Sequence, residues 1–137
     1  MSVKQPVKFT VDGRSYTTIP LTGRDAMKLD KIVTPLVFSF GSVARKLKMN
    51  DLVILMCEKL GSLDDDKFEE LRLLTFRGTM FDGSDNEKSF SLDTDECFEH
   101  FQGRLLDMYT VMVNAWQAHK LTPFQMLAGS STGETAQ

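Results

Sequence analysis

Hydrophobic and polar residues alternate along residues 7–19, and this period of two predicts a β-hairpin. Apolar residues occupy every second position of its first half, and the dipeptide Asp12-Gly13 follows. A type I′ turn favours this dipeptide because both central positions require a positive φ angle. A two-residue turn places Tyr16 opposite Phe9, so the two rings should form a cross-strand pair on the buried face.

Beyond the hairpin, apolar residues recur at spacings of three and four, which predicts helices for most of the remaining chain. The predicted helices cover residues 23–34, 36–48, 51–60, 63–77, 94–119 and 123–128. Pro35 separates the first two because it removes a backbone donor and its ring clashes with the carbonyl of Lys31. Residues 79–92 contain a candidate for a second short hairpin. The fold class is therefore mainly α, a small helical domain of about five to six helices with an N-terminal β-hairpin, or α+β by strict count.

Capping residues and chain length set the boundaries of these elements. The predicted N-caps are Thr22, Asn50, Ser62, Asp93 and Thr122. The 137 residues suffice for one hydrophobic core, and we expect a single domain over residues 1–128. Residues 129–137 read GSSTGETAQ, contain no large apolar residue and are predicted to form a flexible C-terminal tail.

The longest predicted helix, residues 94–119, has an apolar stripe on one side and a polar face on the other. The stripe consists of Phe98, Phe101, Leu105, Met108, Tyr109, Met112 and Trp116, and the polar face of Glu96, His100, Arg104 and Asp107. Spacings of three and four on the polar face predict solvated pairs, Glu96 with His100 and Arg104 with Asp107. Gly103 lies inside this helix, although alanine there would be more stable by about 0.5–1 kcal/mol. Close approach of another backbone would explain the glycine, and the absence of any special requirement is the alternative.

The segment 96–100, Glu-Cys-Phe-Glu-His, is the densest group of reactive side-chain types. Carboxylate-bridged metal bundles need a Glu-x-x-His pair on each of two helices, and a zinc site needs four ligands at short spacing. The sequence has neither pattern, and it also lacks the phosphate-binding motifs and the G-x-S-x-G nucleophile elbow. We therefore expect no enzymatic activity, no catalytic residue, no metal and no cofactor.

Charge is distributed unevenly along a chain whose overall net charge is −3. Residues 1–59 carry 10 Lys and Arg against 5 Asp and Glu, whereas residues 60–137 carry 6 against 14. The two halves can attract each other within one fold, or a partner can dock on either half. Arg45, Lys46 and Lys48 form a basic cluster without interleaved aromatic residues, and the pI is near 5.3, so nucleic-acid binding is not expected.

The longest apolar run, Leu52 to Cys57, is far shorter than the roughly 20 residues that span a bilayer, so no membrane contact is expected. This run leaves no polar face on its helix, which must then be wholly buried or partly covered by another molecule. Cys57 and Cys97 follow no metal-binding pattern, and the first residues show no secretory signal. Reduced thiols in a cytosol are the expectation.

Large apolar side chains near the C-terminal end are the candidates for contact with a partner. The predicted partner-binding residues are Met112, Trp116, Phe124, Met126 and Leu127. Methionine fills irregular gaps in a core, and it also lines surfaces that accept varied helices. Core residues and a docking patch are both compatible with this group.

Four stretches of the chain together match a known pattern. They are V-K-F-T-V-D-G-R-S-Y at residues 7–16, I-P-L-T-G-R-D-A-M-K-L at 19–29, E-E-L-R-L-L-T at 69–75 and H-F-Q-G-R-L-L-D-M at 100–108. With L-T-P-F at 121–124 after the long helix, the chain resembles the tail assembly chaperones of long-tailed bacteriophages over residues 7–128. The strongly apolar run at 52–57 departs from what the resemblance leads us to expect.

The resemblance implies a protein without enzymatic activity that acts in the cytoplasm of the infected host cell. Such proteins bind the tape measure protein, a very long helical chain that would aggregate alone, while tail tube subunits polymerise around it. The resemblance further implies absence from the mature virion, and a longer form, made by a programmed ribosomal frameshift, that recruits the tail tube protein. The alternative classes are a structural tail or head-completion protein of the virion and a small DNA-binding regulator.

Overall fold

A computed structural model describes residues 5–41, 46 and 48–126 and gives an α+β fold. The elements, in chain order, are β1 Val7–Val11, β2 Arg14–Thr18, α1 Gly23–Phe38, α2 Met49–Gly61, α3 Asp65–Phe76, β3 Thr79–Phe81, β4 Phe90–Ser91, α4 Glu96–His100, α5 Leu105–Ala118 and a last helix, α6, at residues 122–126. The four strands form one antiparallel sheet in the order β1-β2-β3-β4. This confirms the predicted fold class, a helical domain with an N-terminal hairpin.

The N-terminal hairpin has the predicted turn and register. Asp12 and Gly13 have φ angles of 53° and 78°, as a type I′ turn requires. Phe9 pairs with Tyr16, and their rings stack with centroids 5.8 Å apart. The second short hairpin also forms, with Phe81 opposite Phe90. The two outer strand pairs of the sheet, β1–β2 and β3–β4, are thus hairpins between neighbouring segments of the chain.

The hydrophobic core lies between one face of the sheet and the helices, with α5 at its centre. Val113 and Trp116 are wholly buried, and the Trp116 Nε1–H donates a hydrogen bond of 2.8 Å to Thr75 Oγ1 of α3. One turn from the start of α5, the Tyr109 ring meets the Phe68 ring edge-on at 6.4 Å. Phe68 and Thr75 are seven residues apart on α3, and their partners Tyr109 and Trp116 are seven residues apart on α5. The two helices are therefore packed side by side and parallel.

The predicted break at Pro35 is wrong, because α1 continues through this residue to Phe38. Both Pro35 and Lys31 are exposed, so water can satisfy the carbonyl that loses its intrahelical donor. Burial of Leu29, Val33 and Val37 holds the helix on the core across the proline. Of the second predicted helix, 36–48, the first residues belong to α1, and residues 42–45 and 47 lie outside the described residues.

The predicted long helix 94–119 is also wrong, since the structure contains two helices, α4 and α5, with a break between them. Gly103 has a φ angle of +75°, in the left-handed region that ends helices, and a Cβ there would meet nothing within 4 Å. Glycine is therefore required by the backbone angle and not by a neighbouring chain. The break separates the predicted apolar stripe, because Phe101 is buried whereas Phe98 and Leu105 are about half exposed.

Four of the five predicted N-caps are wrong. α2 begins at Met49, so Asn50 lies inside the helix, and Asp64 rather than Ser62 caps α3 by accepting a hydrogen bond of 2.7 Å from the Lys67 N–H. Asp95 rather than Asp93 precedes α4, and Thr122 already belongs to α6. The apolar run 52–57 is mostly buried, but Ile54 is 62% exposed. Part of this run therefore faces solvent, as one of the two readings of its sequence allowed.

A carboxylate of α1 holds the segment that leads into α6. Asp30 of α1 accepts hydrogen bonds from the backbone N–H and the hydroxyl of Thr122, at 2.7 and 2.9 Å. This contact holds the start of α6, where a predicted helix begins. The rest of that prediction, residues 127–128, the predicted tail 129–137 and the candidate Leu127 lie outside the described residues.

Candidate interaction surface

The structure buries most of the side chains that the sequence offers as partner contacts. Met112 and Trp116 are wholly buried in the core, and Phe124 is only 6% exposed against the Trp116 ring. Met126 is about half exposed, and Leu127 lies outside the described residues. Burial does not support a docking patch at Met112, Trp116 or Phe124, because these side chains already fill the core.

The exposed apolar side chains lie elsewhere, and three of them gather around the break between α4 and α5. Large hydrophobic residues exposed within the described region are Ile19, Met27, Phe38, Ile54, Met80, Phe98, Leu105, Leu106 and Met126. Phe98, Leu105 and Leu106 are 49%, 57% and 56% exposed. The left-handed turn at Gly103 separates Phe98 of α4 from Leu105 and Leu106 of α5, so the three side chains do not belong to one continuous helical stripe.

Half-buried aromatic residues connect these exposed side chains into one surface. The Phe98 ring covers the guanidinium of Arg72, 4.4 Å from its centroid. Phe68 lies one turn before Arg72 on α3 and contacts Tyr109, and Leu105 lies one turn before Tyr109 on α5. We call the set Phe68, Phe98, Leu105, Leu106 and Tyr109 the apolar ridge.

Arg72 is the anchor beneath the apolar ridge. Its side chain is 1% exposed, and it donates two hydrogen bonds to Glu69, at 3.0 and 2.6 Å, and one of 3.2 Å to the Leu92 carbonyl. These bonds lower the pKa of the Glu69 carboxyl. The guanidinium of Arg72 therefore contacts the residue after β4 and the Phe98 ring of α4. These contacts position the Phe98 ring relative to α3.

A second cluster lies under the α4–α5 turn, around His100. A hydrogen bond of 2.9 Å joins His100 Nε2 and Tyr16 Oη, and the His100 ring centroid is 4.5 Å from that of Phe81 and 4.6 Å from that of Phe101. The prediction of a solvated His100 paired with Glu96 is therefore wrong. The predicted pair of Arg104 and Asp107 does form, at 3.2 Å, and Arg104 also donates to the His100 carbonyl oxygen.

Burial determines the protonation of this cluster. It lowers the pKa of His100 to about 4 and raises that of Tyr16 to about 12, so both groups are neutral near neutral pH. Tyr16 is wholly buried, which denies a substrate access to its hydroxyl. The cluster therefore stabilises the turn between α4 and α5, with both His100 and Tyr16 held neutral in a shared hydrogen bond.

Acidification should destabilise the protein through His100. Below pH 6.5 the unfolded chain takes up a proton on this imidazole that the folded protein accepts only near pH 4, so stability is complete above pH 6.5 and is lost as the pH falls toward 4. We expect a loss of about 1–2 kcal/mol, less than full linkage because solvent partly screens the ring. Urea unfolding of the wild type and of His100→Gln at pH 7 and pH 5 measures it.

Comparing the wild type with His100→Gln isolates the contribution of His100 to the pH dependence of stability. Burial also lowers the pKa of His119, but this residue contributes equally in both proteins. His100→Gln cannot titrate, so its free energy of unfolding should change less between the two pH values. Identical pH dependence of wild type and variant would contradict the assignment.

The other buried polar groups have structural partners. His119 Nδ1 accepts a hydrogen bond of 3.1 Å from the Leu21 N–H, and Nε2 lies 3.2 Å from the Thr75 carbonyl oxygen, so Nε2 carries the proton. The ring forms one wall of an open cavity of about 530 Å³ beside the start of α1. Burial raises the pKa of both Cys57 and Cys97, which keeps the thiols protonated and weakly nucleophilic.

Two further findings concern metal and membrane contacts. Among residues 5–41, 46 and 48–126, no group of three or more His, Cys, Asp or Glu side chains could hold a metal ion. None of the helices in that part of the chain is long and apolar enough to cross a bilayer.

Sequence reasoning missed the apolar ridge because it treated residues 94–119 as one straight helix. A signal was present at Gly103, whose poor helix propensity marks the position where the chain turns. Three of the observed ion pairs, Lys8–Asp82 at 3.5 Å, Arg14–Glu87 at 3.9 Å and Arg77–Asp25 at 2.7 Å, join the basic and acidic halves of the chain. Attraction between the halves is thus partly internal.

Comparisons with protein-family models, with curated proteins and with solved structures give no match to this chain.

Proposed function

We propose that this protein is a bacteriophage tail assembly chaperone that binds the tape measure protein and keeps it soluble during virion morphogenesis. The observation that carries the proposal is the apolar ridge, where three large hydrophobic side chains on either side of the α4–α5 break are about half exposed. Exposed apolar side chains grouped in this way mark a candidate site for a partner. The resemblance described above supplies the identity of that partner.

The physical basis of the activity is reversible burial of apolar surface. Full burial of a leucine or phenylalanine side chain contributes about 1.5–3 kcal/mol, and covering the exposed half of a ridge side chain contributes about half of that. Several such side chains together can hold a helical client without covalent chemistry. A client helix lying on it hides its own apolar stripe from other client chains. The net charge of −3 then favours solubility of the complex.

The proposal includes the wider role that the resemblance implies. The protein acts in the host cytoplasm, a longer frameshifted form recruits tail tube subunits, and neither form remains in the mature virion. Mass spectrometry of purified particles addresses the last point, because a structural tail or head-completion protein would be found there.

Co-expression tests the central claim. The tape measure protein encoded in the same genome should move from the insoluble to the soluble fraction when this chain is present, and both should elute together. The double variant Leu105→Ser/Leu106→Ser should lose this effect, because it removes two exposed apolar side chains of the ridge.

The matched control is Met27→Ser/Met80→Ser, which removes two exposed apolar side chains from α1 and from the strand β3. It should retain the effect of the wild type. An unchanged soluble fraction with the wild-type chain would refute the proposed function.

A further inference from the structure

We infer that the segment bound on the apolar ridge is an amphipathic helix whose apolar stripe is flanked by lysine and arginine. The inference rests on the proposed function, since it specifies the chemistry of the client segment at the same surface. Its basis is the charge that surrounds the ridge and the length of the ridge along α3.

Carboxylates are concentrated in the two segments that flank the ridge. Residues 64–72 carry five Asp and Glu against Lys67 and Arg72, and Arg72 is buried beneath Phe98. Residues 95–100, which cap and form α4, carry three Asp and Glu and no lysine or arginine. The negative charge of the C-terminal half is thus gathered beside the exposed apolar side chains.

The packing of α3 against α5 places these carboxylates along the ridge. Phe68 meets Tyr109 and Thr75 meets Trp116, so Leu106 at the start of α5 stands level with Asp65 in the first turn of α3. At the other end, the Glu69 carboxylate is bound to the guanidinium that Phe98 covers. Negative side chains therefore lie beside both ends of the ridge.

Several of these carboxylates have no cationic partner among the residues that the structure describes. In the region that the structure describes, Lys67 pairs with Glu70 and Arg72 with Glu69. The same region shows no ion pair for Asp65, Asp66, Glu96 or Glu99, all of which are exposed. Such groups remain available to a cation on a bound partner, and they disfavour an acidic one.

The length of the ridge fits two turns of a helix. Leu106 stands level with Asp65 and Phe98 covers Arg72, and these two positions on α3 are separated by about 10 Å at 1.5 Å per residue. Apolar residues at positions i, i+3 or i+4 and i+7 of a partner helix cover the same length. Lysine or arginine beside that stripe would then reach the carboxylates of α3 and α4.

Two synthetic peptides of about 20 residues, long enough to form helix in water, test the inference. They share one apolar stripe and differ only in flanking residues, lysine in one and glutamate in the other. Fluorescence anisotropy at low salt should show the lysine peptide binding at least about tenfold more tightly, and raised salt should reduce the difference. Equal affinities of the two peptides would overturn the inference.

Variants locate the binding site. Leu105→Ser/Leu106→Ser and Glu96→Lys/Glu99→Lys should each weaken binding of the lysine peptide about tenfold. The control Met27→Ser/Met80→Ser matches the first pair in chemistry, and Asp85→Lys in the exposed β3–β4 loop makes the same reversal of charge outside the ridge. Loss of binding in a control equal to that in its matched variant would overturn the placement. Circular dichroism is used to check that all four variants are folded.

Self-association gives the remaining outcome. If a second copy of this chain covered the ridge, sedimentation velocity of the protein alone would show concentration-dependent association that Leu105→Ser/Leu106→Ser abolishes, and this result would overturn the inference. A chain that solubilises the tape measure protein yet binds both peptides alike refutes the inference and leaves the proposed function intact. A chain that prefers the lysine peptide but has no effect on the solubility of the tape measure protein refutes the proposed function and supports the inference.

Discussion

Trp116→Ala should lower the free energy of unfolding by about 3–5 kcal/mol, the cost of emptying a large buried aromatic site. The indole is wholly buried at the centre of the core, between α3 and α6. Its removal also leaves the Thr75 hydroxyl without the Nε1–H donor that contacts it at 2.8 Å. Urea unfolding followed by circular dichroism measures the loss.

Met126→Ala is the control for this prediction, because both residues lie near the C-terminal end of the described region and only Met126 is substantially exposed. Surface substitutions of this kind change stability by about 0.5 kcal/mol or less. If Trp116→Ala weakened client binding while the free energy of unfolding stayed unchanged, the indole would belong to a docking patch after all.

Arg72→Ala should cost about 2–4 kcal/mol, the second large effect. The substitution leaves the buried Leu92 carbonyl without its donor, removes the support of the Phe98 ring and opens space between α3 and α4. Because Phe98 belongs to the apolar ridge, client binding should weaken as well. Urea unfolding measures the first effect, and anisotropy with the lysine-flanked peptide measures the second.

Glu69→Gln separates the ion pair from the other contacts of Arg72. The Glu69 side chain is 45% exposed, and an amide still accepts one hydrogen bond, so the expected loss is below about 1 kcal/mol. Equal losses in Arg72→Ala and Glu69→Gln would mean that the ion pair, and not the bond to Leu92 and the Phe98 contact, holds the guanidinium.

The elements that the sequence predicts correctly are those in which local chemistry decides. Asp12-Gly13 forces the hairpin turn, and the alternation of the flanking strands fixes the pairing of Phe9 with Tyr16. The strand and helix periods likewise identify the fold class. Such features depend on neighbours in the chain, which a single sequence displays.

The errors occur where contacts between distant residues override a local rule. Burial of one face of α1 outweighs the lost hydrogen bond at Pro35, since only one bond is missing and it belongs to the exposed residue Lys31. His100 has a polar side chain, yet the Gly103 turn brings it under Tyr16, which lies 84 residues earlier in the chain. No period along α4 and α5 could reveal that contact.

The candidate surface was less accessible to sequence reasoning than the fold. Trp116 and Met112 have the residue types of a docking site, but the same types fill a core, and only packing distinguishes the two uses. The ridge depends on the α4–α5 break and on Arg72, a charged residue that sequence alone assigns to solvent.

The bond between Asp30 and Thr122 joins residues 92 positions apart, and the bond between Leu21 and His119 joins residues 98 apart. During synthesis the ribosome must therefore release nearly the whole described region before α1 can be secured. Contacts between residues so distant in sequence slow folding and leave hydrophobic segments of the nascent chain exposed until they form. The newly made protein thus faces, for a short time, the same hazard of aggregation from which it is proposed to shelter its client.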